Sequence, residues 1–157
     1  MFTRKLITST AAGAFALVLP LAAALAAGSS TPVTTGTASV DDEYKAAQSA
    51  IAQSDYKSAM DHLKAVIAQK PDDADALNLM GFSERKMGAM DESLEYYNKA
   101  LALNPNHLGA NEYLGELYLE MKKPDLAKQR LDVLKNACGG TCEEYNELKE
   151  KIDQYKS

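Results

Sequence analysis

The sequence predicts an all-α fold: a right-handed α-solenoid of three helix-turn-helix units closed by a C-terminal capping helix. Three observations carry this expectation. Marker residues recur every 34 positions: Pro71 and Pro105, Gly81 and Gly115, then Leu63, Tyr97 and Leu131, then Val66, Ala100 and Leu134. A fixed period in this range is the signature of a stacked repeat array. Within each period the apolar residues fall at helical spacing in two separate runs. The final stretch, Cys142 to Tyr155, has one apolar stripe (Tyr145, Leu148 and Ile152) and charge elsewhere, as a terminal cap requires.

Composition sets the outer limits. A length of 157 residues predicts one domain. Apolar residues at 46% and charged ones at 25% belong to a folded chain, not a wholly disordered one. The net charge of −5 argues against nucleic acid or an anionic membrane as main partner, because both demand a basic surface. Two His and two Cys leave little room for a metal enzyme.

Residues 1–26 read as a secretory signal peptide. Arg4 and Lys5 make a short positive start, Ala11 to Ala27 carries no charge, and Ala24-Leu25-Ala26 offers the small residues a signal peptidase accepts. The competing reading is a retained anchor, since Leu6 to Ala27 is nominally long enough to span a bilayer. Thr8, Ser9, Thr10 and Pro20 weaken it. Residues 27–39 are rich in Gly, Ser, Thr and Pro and read as a flexible linker.

The repeat domain occupies 40–157, with units 40–73, 74–107 and 108–141 and the cap at 142–155. The units align at Tyr56, Met90 and Pro124, and again at Ala59, Ser93 and Ala127. In the middle unit the first helix carries Leu77, Met80, Gly81 and Glu84 on one side. The second carries Met90, Leu94, Tyr97 and Leu101. Small residues recur where paired helices would cross: Ala47, Gly81 and Gly115, facing Ala59, Ser93 and Ala127. A mid-helix Gly costs about 1 kcal/mol against Ala, so its recurrence implies a contact too tight for a Cβ. Turns are expected at Ser54-Asp55, Gly88-Ala89 and Lys122-Lys123-Pro124, with Pro124 at a first helical position. Asp73 and Asn106 are the expected N-caps of the second and third units, and Thr141 with Glu144 a capping box for the last helix.

Cys138 and Cys142 flank Gly139-Gly140-Thr141 between the last unit and the cap. In an exported chain an even cysteine count implies a disulfide. The chain-entropy model gives roughly 2 kcal/mol for so short a loop. A thiol-redox or metal-thiolate site is the sharper alternative, since a Cys at a helix N-terminus has a lowered pKa. The spacing is CxxxC, however, and no strand–helix–strand pattern surrounds it. His62 and His107 read as ordinary surface or cap residues. Met80, Met87, Met90 and Met121 read as repeat-packing residues rather than metal ligands.

The repeat resembles the tetratricopeptide repeat family over about residues 40–141. The middle unit carries Gly81, Gly88, Tyr97, Ala100 and Pro105 at the family's spacing, and departs from it at Leu77, Met80, Glu84 and Ser93. The third unit keeps Leu114-Gly115, Tyr118 and Ala127. The first keeps Tyr56, Ala59, Leu63 and Pro71 but has Ala46-Ala47 for Leu-Gly. The resemblance implies that the first helix of each unit lines a concave groove where partner peptides bind. Carried over by alignment, the groove residues are Tyr44 and Gln48, then Asn78, Phe82, Arg85 and Lys86, then Glu112, Tyr113 and Glu116. Tyr44, Phe82 and Tyr113 would be exposed aromatic anchors, and Arg85 with Lys86 a basic centre between acidic sides. The subgroup that grips a terminal carboxylate uses Lys, Asn and Arg at set positions. Tyr44, Gln48, Leu79, Gly109 and Tyr113 stand there instead.

No nucleophile elbow, P-loop, dinucleotide fingerprint or HExxH is present. The resulting expectation is a non-catalytic, cofactor-free protein–protein interaction module of the periplasm or secreted space. It would bind a protein or peptide, and neither nucleic acid nor, once the signal is removed, membrane. The alternatives are a thiol-redox or metal-handling factor using Cys138 and Cys142, and a self-associating scaffold.

Overall fold

A computed structural model describes residues 38–155. The signal and nearly all of the linker, residues 1–37, lie outside the described residues. Seven helices follow in order: α1 (Val40–Ala52), α2 (Tyr56–Gln69), α3 (Ala74–Lys86), α4 (Met90–Leu103), α5 (Leu108–Glu120), α6 (Pro124–Cys138) and α7 (Glu143–Gln154). They pair as hairpins α1–α2, α3–α4 and α5–α6, and each hairpin packs on the next. The cap α7 packs on both α5 and α6, in the place the first helix of a fourth unit would take. The predicted solenoid of helical repeats is therefore what the described residues form.

The turns fall at the predicted breakers. Ser54, Gly88 and Lys122 take φ of 60°, 85° and 59°, the left-handed residue between the two helices of each unit. Pro124 opens α6, where its missing N–H costs nothing. Ser39, assigned to the linker, is instead the N-cap of α1, its hydroxyl accepting from the Asp42 N–H at 3.2 Å.

The caps need two corrections. Asp73 caps α3 as expected, accepting from the Ala76 N–H. The N-cap of α5, however, is His107, not Asn106. Its Nδ1 accepts from the Ala110 N–H at 3.1 Å, so Nε2 carries the proton and donates to Asp75 at 2.9 Å. Asn106 is used one step earlier, its N–H donating to Asn104 Oδ1. The capping box at Thr141 and Glu144 does not form. Cys142 is the N-cap of α7 with no side-chain cap bond, and the Thr141 hydroxyl donates back to the Cys138 carbonyl at the end of α6.

Two apolar clusters follow one another along the units, with the partly buried Leu101 packed against both. Ala47, Met60, Leu63, Val66, Ala76, Leu77, Met80, Ala100 and Ala110 form the first, and Tyr97, Leu114 and Leu117 the second. The glycines explain themselves by what faces them. A Cβ on Gly81 would lie 2.7 Å from the Tyr97 ring, which is fully buried. The Ser93 hydroxyl holds the same crossing by donating to the Gly81 carbonyl at 2.8 Å.

Candidate functional site

Because α3 and α5 occupy equivalent places in successive units, their corresponding faces lie side by side. Phe82 of α3 and Tyr113 of α5 meet there with ring centroids 5.0 Å apart and a 48° tilt. Tyr56, the first residue of α2, stands edge-on to Phe82 at 6.2 Å, and Tyr97 lies 6.4 Å from Tyr113. The result is a row of four aromatics drawn from four helices. Tyr97 is wholly buried, whereas Phe82 and Tyr113 are only half-buried.

Arg85 and Lys86 border this row. The Arg85 guanidinium lies 5.7 Å from the Phe82 centroid and 5.8 Å from that of Tyr113, and Lys86 Nζ lies 5.2 Å from Phe82. Cations at these distances are attracted by the ring faces. Arg85 also donates to Glu116 at 2.6 Å and Glu120 at 2.8 Å. Glu116 is shared with Lys151 of the cap. The expected basic centre is thereby altered. Arg85 is 5% exposed in its side chain and already neutralised, so Lys86 alone presents an open cation beside the rings.

The structure brings five of the nine predicted groove residues together: Phe82, Arg85, Lys86, Tyr113 and Glu116. Asn78 and Glu112 are buried between neighbouring first helices instead of facing outward. Gln48 is exposed on α1. Tyr44 packs on the first unit's core and lines a separate hollow with Lys70, Asp73 and Asp75. Burial first, then the charges of Asp75 and Asp73, push its hydroxyl up to about 12. Sequence reasoning missed Tyr56 and Lys151, and although the alignment also turns Glu120 toward the groove, it missed that residue's pairing with Arg85. A signal for Lys151 and for the Glu120 pairing was present, since Arg85–Glu120 and Glu116–Lys151 are both pairs 35 residues apart, one repeat plus one.

Glu112 is the electrostatic outlier. It is 3% exposed and its Oε1 has no hydrogen-bond partner. Burial first, then the Glu147 carboxyl of α7 and the charge of Glu116, push its pKa up to about 9, with Lys151 opposing. Below about pH 4.5 the carboxyl is protonated folded or unfolded. Between there and pH 9 the unfolded chain releases a proton that the folded chain retains, so stability falls as pH rises. Glu112→Gln removes this dependence. The variant should melt with the wild type near pH 4 and gain an advantage that grows with every pH unit, reaching on the order of several kcal/mol by pH 9. Thermal melts across that range check it; an offset independent of pH would contradict the assignment.

Cys138 and Cys142 are joined through their sulfurs, with Cα atoms 5.9 Å apart. Gly139 and Gly140, at φ 68° and 72°, make the left-handed turn that brings them together. Among the described residues no group of three or more His, Cys, Asp and Glu side chains is placed to hold a metal. Among the same residues no helix is long and apolar enough to cross a membrane.

Two family models described as tetratricopeptide repeat match the chain, over residues 74–107 and 96–129. No curated protein matches it significantly in sequence. Solved structures do match in fold. The TPR2B domain of yeast Sti1, solved with pHsp70, is 20% identical, covers 74% of this chain and 98% of its own, and gives a TM-score of 0.67. The Sgt2 TPR domain of Aspergillus fumigatus is 19% identical, covering 75% of this chain and 79% of its own, with a TM-score of 0.68. The type III secretion translocator chaperone SycD of Yersinia enterocolitica is 15% identical, covering 76% and 90%, with a TM-score of 0.66.

Proposed function

The chain is a tetratricopeptide-repeat protein, and from that premise we propose that it is a non-catalytic protein–protein interaction module. It holds a peptide or helix of its partner against Phe82 and Tyr113. The observation that carries this is the half-exposed aromatic pair beside the open cation of Lys86. Aromatic side chains that pack against each other yet remain half in water gain most from a partner that finishes their burial. Arg85, fixed between Glu116 and Glu120, holds both rings in place before a partner arrives, which lowers the ordering cost of binding. The yeast Sti1 domain of similar fold was solved with pHsp70, and the RPAP3 repeat with an HSP90 peptide, which supports peptide binding as the mode.

The proposal includes export. Residues 1–26 have the form of a cleaved signal, and a closed Cys138–Cys142 pair suits an oxidising compartment such as the periplasm or the secreted space. There the disulfide ties the end of α6 to the cap, where a solenoid frays first.

The test is capture from envelope extract with the mature chain, residues 27–157, as bait. Phe82→Ala/Lys86→Ala should reduce capture of the specific partner by roughly ten-fold or more. Because Phe82 packs on Tyr56 and Tyr113, the variant should melt below wild type, so capture is compared at a temperature where circular dichroism shows both proteins fully folded, with Lys86→Ala alone as the milder change. Undiminished capture would remove the groove from the function. Dependence on Cys138→Ser/Cys142→Ser instead, with a mixed disulfide, would install the redox reading. A mass that rises with concentration in light scattering would install the scaffold reading.

A further inference from the structure

On the other side of the repeats lies a surface that the groove reading does not use. Between α2 and α4, over a floor of Leu77 and Met80 from α3, runs an open groove of about 680 Å³. Ile67, Ala68 and Pro71 form one wall, and Tyr96, Ala102 and Leu103 the other. Leu103 is 44% exposed, one of two large apolar side chains that stand out of the fold among the described residues. Lys64 and Lys99 lie on opposite walls at nearly the same level, since 34 residues beyond Lys64 is the neighbour of Lys99. Ile67 and Ala68 on one wall, and Ala102 and Leu103 on the other, sit about one helical turn further along. The groove is therefore cationic at one level and apolar at the next.

We propose that this groove is a second docking surface, and that it takes a short amphipathic helix of a partner protein. That helix would carry a carboxylate about one turn before two apolar side chains. Four features select this occupant. Beyond the lysines and the Tyr96 hydroxyl, the lining side chains offer no polar group to pair with a ligand, so an extended peptide would leave its backbone groups without partners there. A helix satisfies its own. The groove is open along one side, so an acyl chain lying in it would leave much of its surface in water, whereas a helix turns its polar face outward. The two lysines complement one carboxylate set between them. Their present charge partners, Asp61 at 3.8 Å and Glu95 at 2.6 Å, are exposed neighbours on their own helices, and such pairs are worth only about 0.3–0.5 kcal/mol; Lys99 also lies 5.3 Å from the Tyr96 ring centroid, an exposed-site contact worth about 0.5–1 kcal/mol. A carboxylate delivered with apolar burial displaces them at small cost.

The test uses a display library of helical 16-residue peptides, randomised on one face and selected on the purified mature protein. Enriched sequences should carry Asp or Glu about one turn before two apolar residues spaced by three or four. Leu103→Asp should lower binding of those peptides by ten-fold or more, and Phe82→Ala should leave it unchanged, which separates this surface from the aromatic one. Selection on Lys64→Glu/Lys99→Glu, an exchange of two exposed residues with the fold verified by circular dichroism, should enrich Lys or Arg at the same place. Enrichment without charge preference, or the same peptides from both proteins, would overturn the proposal. So would saturable binding of dodecanoate that competes with the peptides at equal affinity, which would make the groove an amphiphile site.

Discussion

Leu148→Ala will lower the stability of the domain by about 2–5 kcal/mol, the range for emptying a well-packed core position. Leu148 is the one fully buried side chain of α7, at 0% exposure, and the remaining faces of that helix are largely charged. It seats the cap on Gly115, where an added Cβ would lie 2.5 Å from Leu148 Cδ2. The loss should be unevenly spread. Hydrogen exchange should show the amides of α7 losing protection ahead of those of α3 and α4, because an end unit has a neighbour on one side only. Gly115→Ala supplies the check. In the wild-type background the new methyl meets a side chain with nowhere to go, and overpacking of this kind costs about 1–3 kcal/mol. In the Leu148→Ala background the space is vacant, and the same change fills part of the cavity while adding helix propensity of about 1 kcal/mol. The double variant should be more stable than the sum of the two losses by at least about 1 kcal/mol. Strict additivity in urea melts would mean that the two residues do not share the contact.

The same pair shows what the sequence made legible. Gly81 and Gly115 stand one period apart, and a costly residue kept twice at one helical position predicted close contacts. The structure supplies them, but with different neighbours: the Tyr97 ring within the second unit, and Leu148 of the cap in the third. Periodicity fixes which positions face inward, and the helices, turns and core followed from it. It does not fix what each position meets when the units differ. His107 is instructive, since it stands 34 residues after Asp73 and takes the same N-cap role. Choosing Asn106 gave intrinsic cap preference more weight than the repeat, and the repeat governs. The site was harder still. The side chains of Arg85, Glu112 and Glu116 look like open groove charges when one unit is considered alone. Only the next first helix, with Glu120 after α3 and α7 after α5, buries them.

Removing Arg85 separates scaffold from recognition. Arg85→Ala should cost about 3 kcal/mol, the low end for stripping one partner from a buried ion pair, since Lys151 still reaches Glu116. Arg85→Lys should recover only part of that, because an ammonium cannot span Glu116 and Glu120 with the parallel donors of a guanidinium. Arg85→Met/Glu116→Leu exchanges both charges for apolar groups of similar reach, and such replacements are often neutral or stabilising. Equilibrium urea melts of the three variants give the ordering. The double variant then addresses function. It keeps an unbranched side chain beneath Phe82 and Tyr113 but leaves no guanidinium over their faces. If the rings are the anchor and Arg85 their support, partner capture persists in the double variant and fails in Phe82→Ala/Lys86→Ala. Loss of capture in a stably folded double variant would give the buried charge itself the recognising role, and the partner would then have to reach it by displacing Glu116 or Glu120.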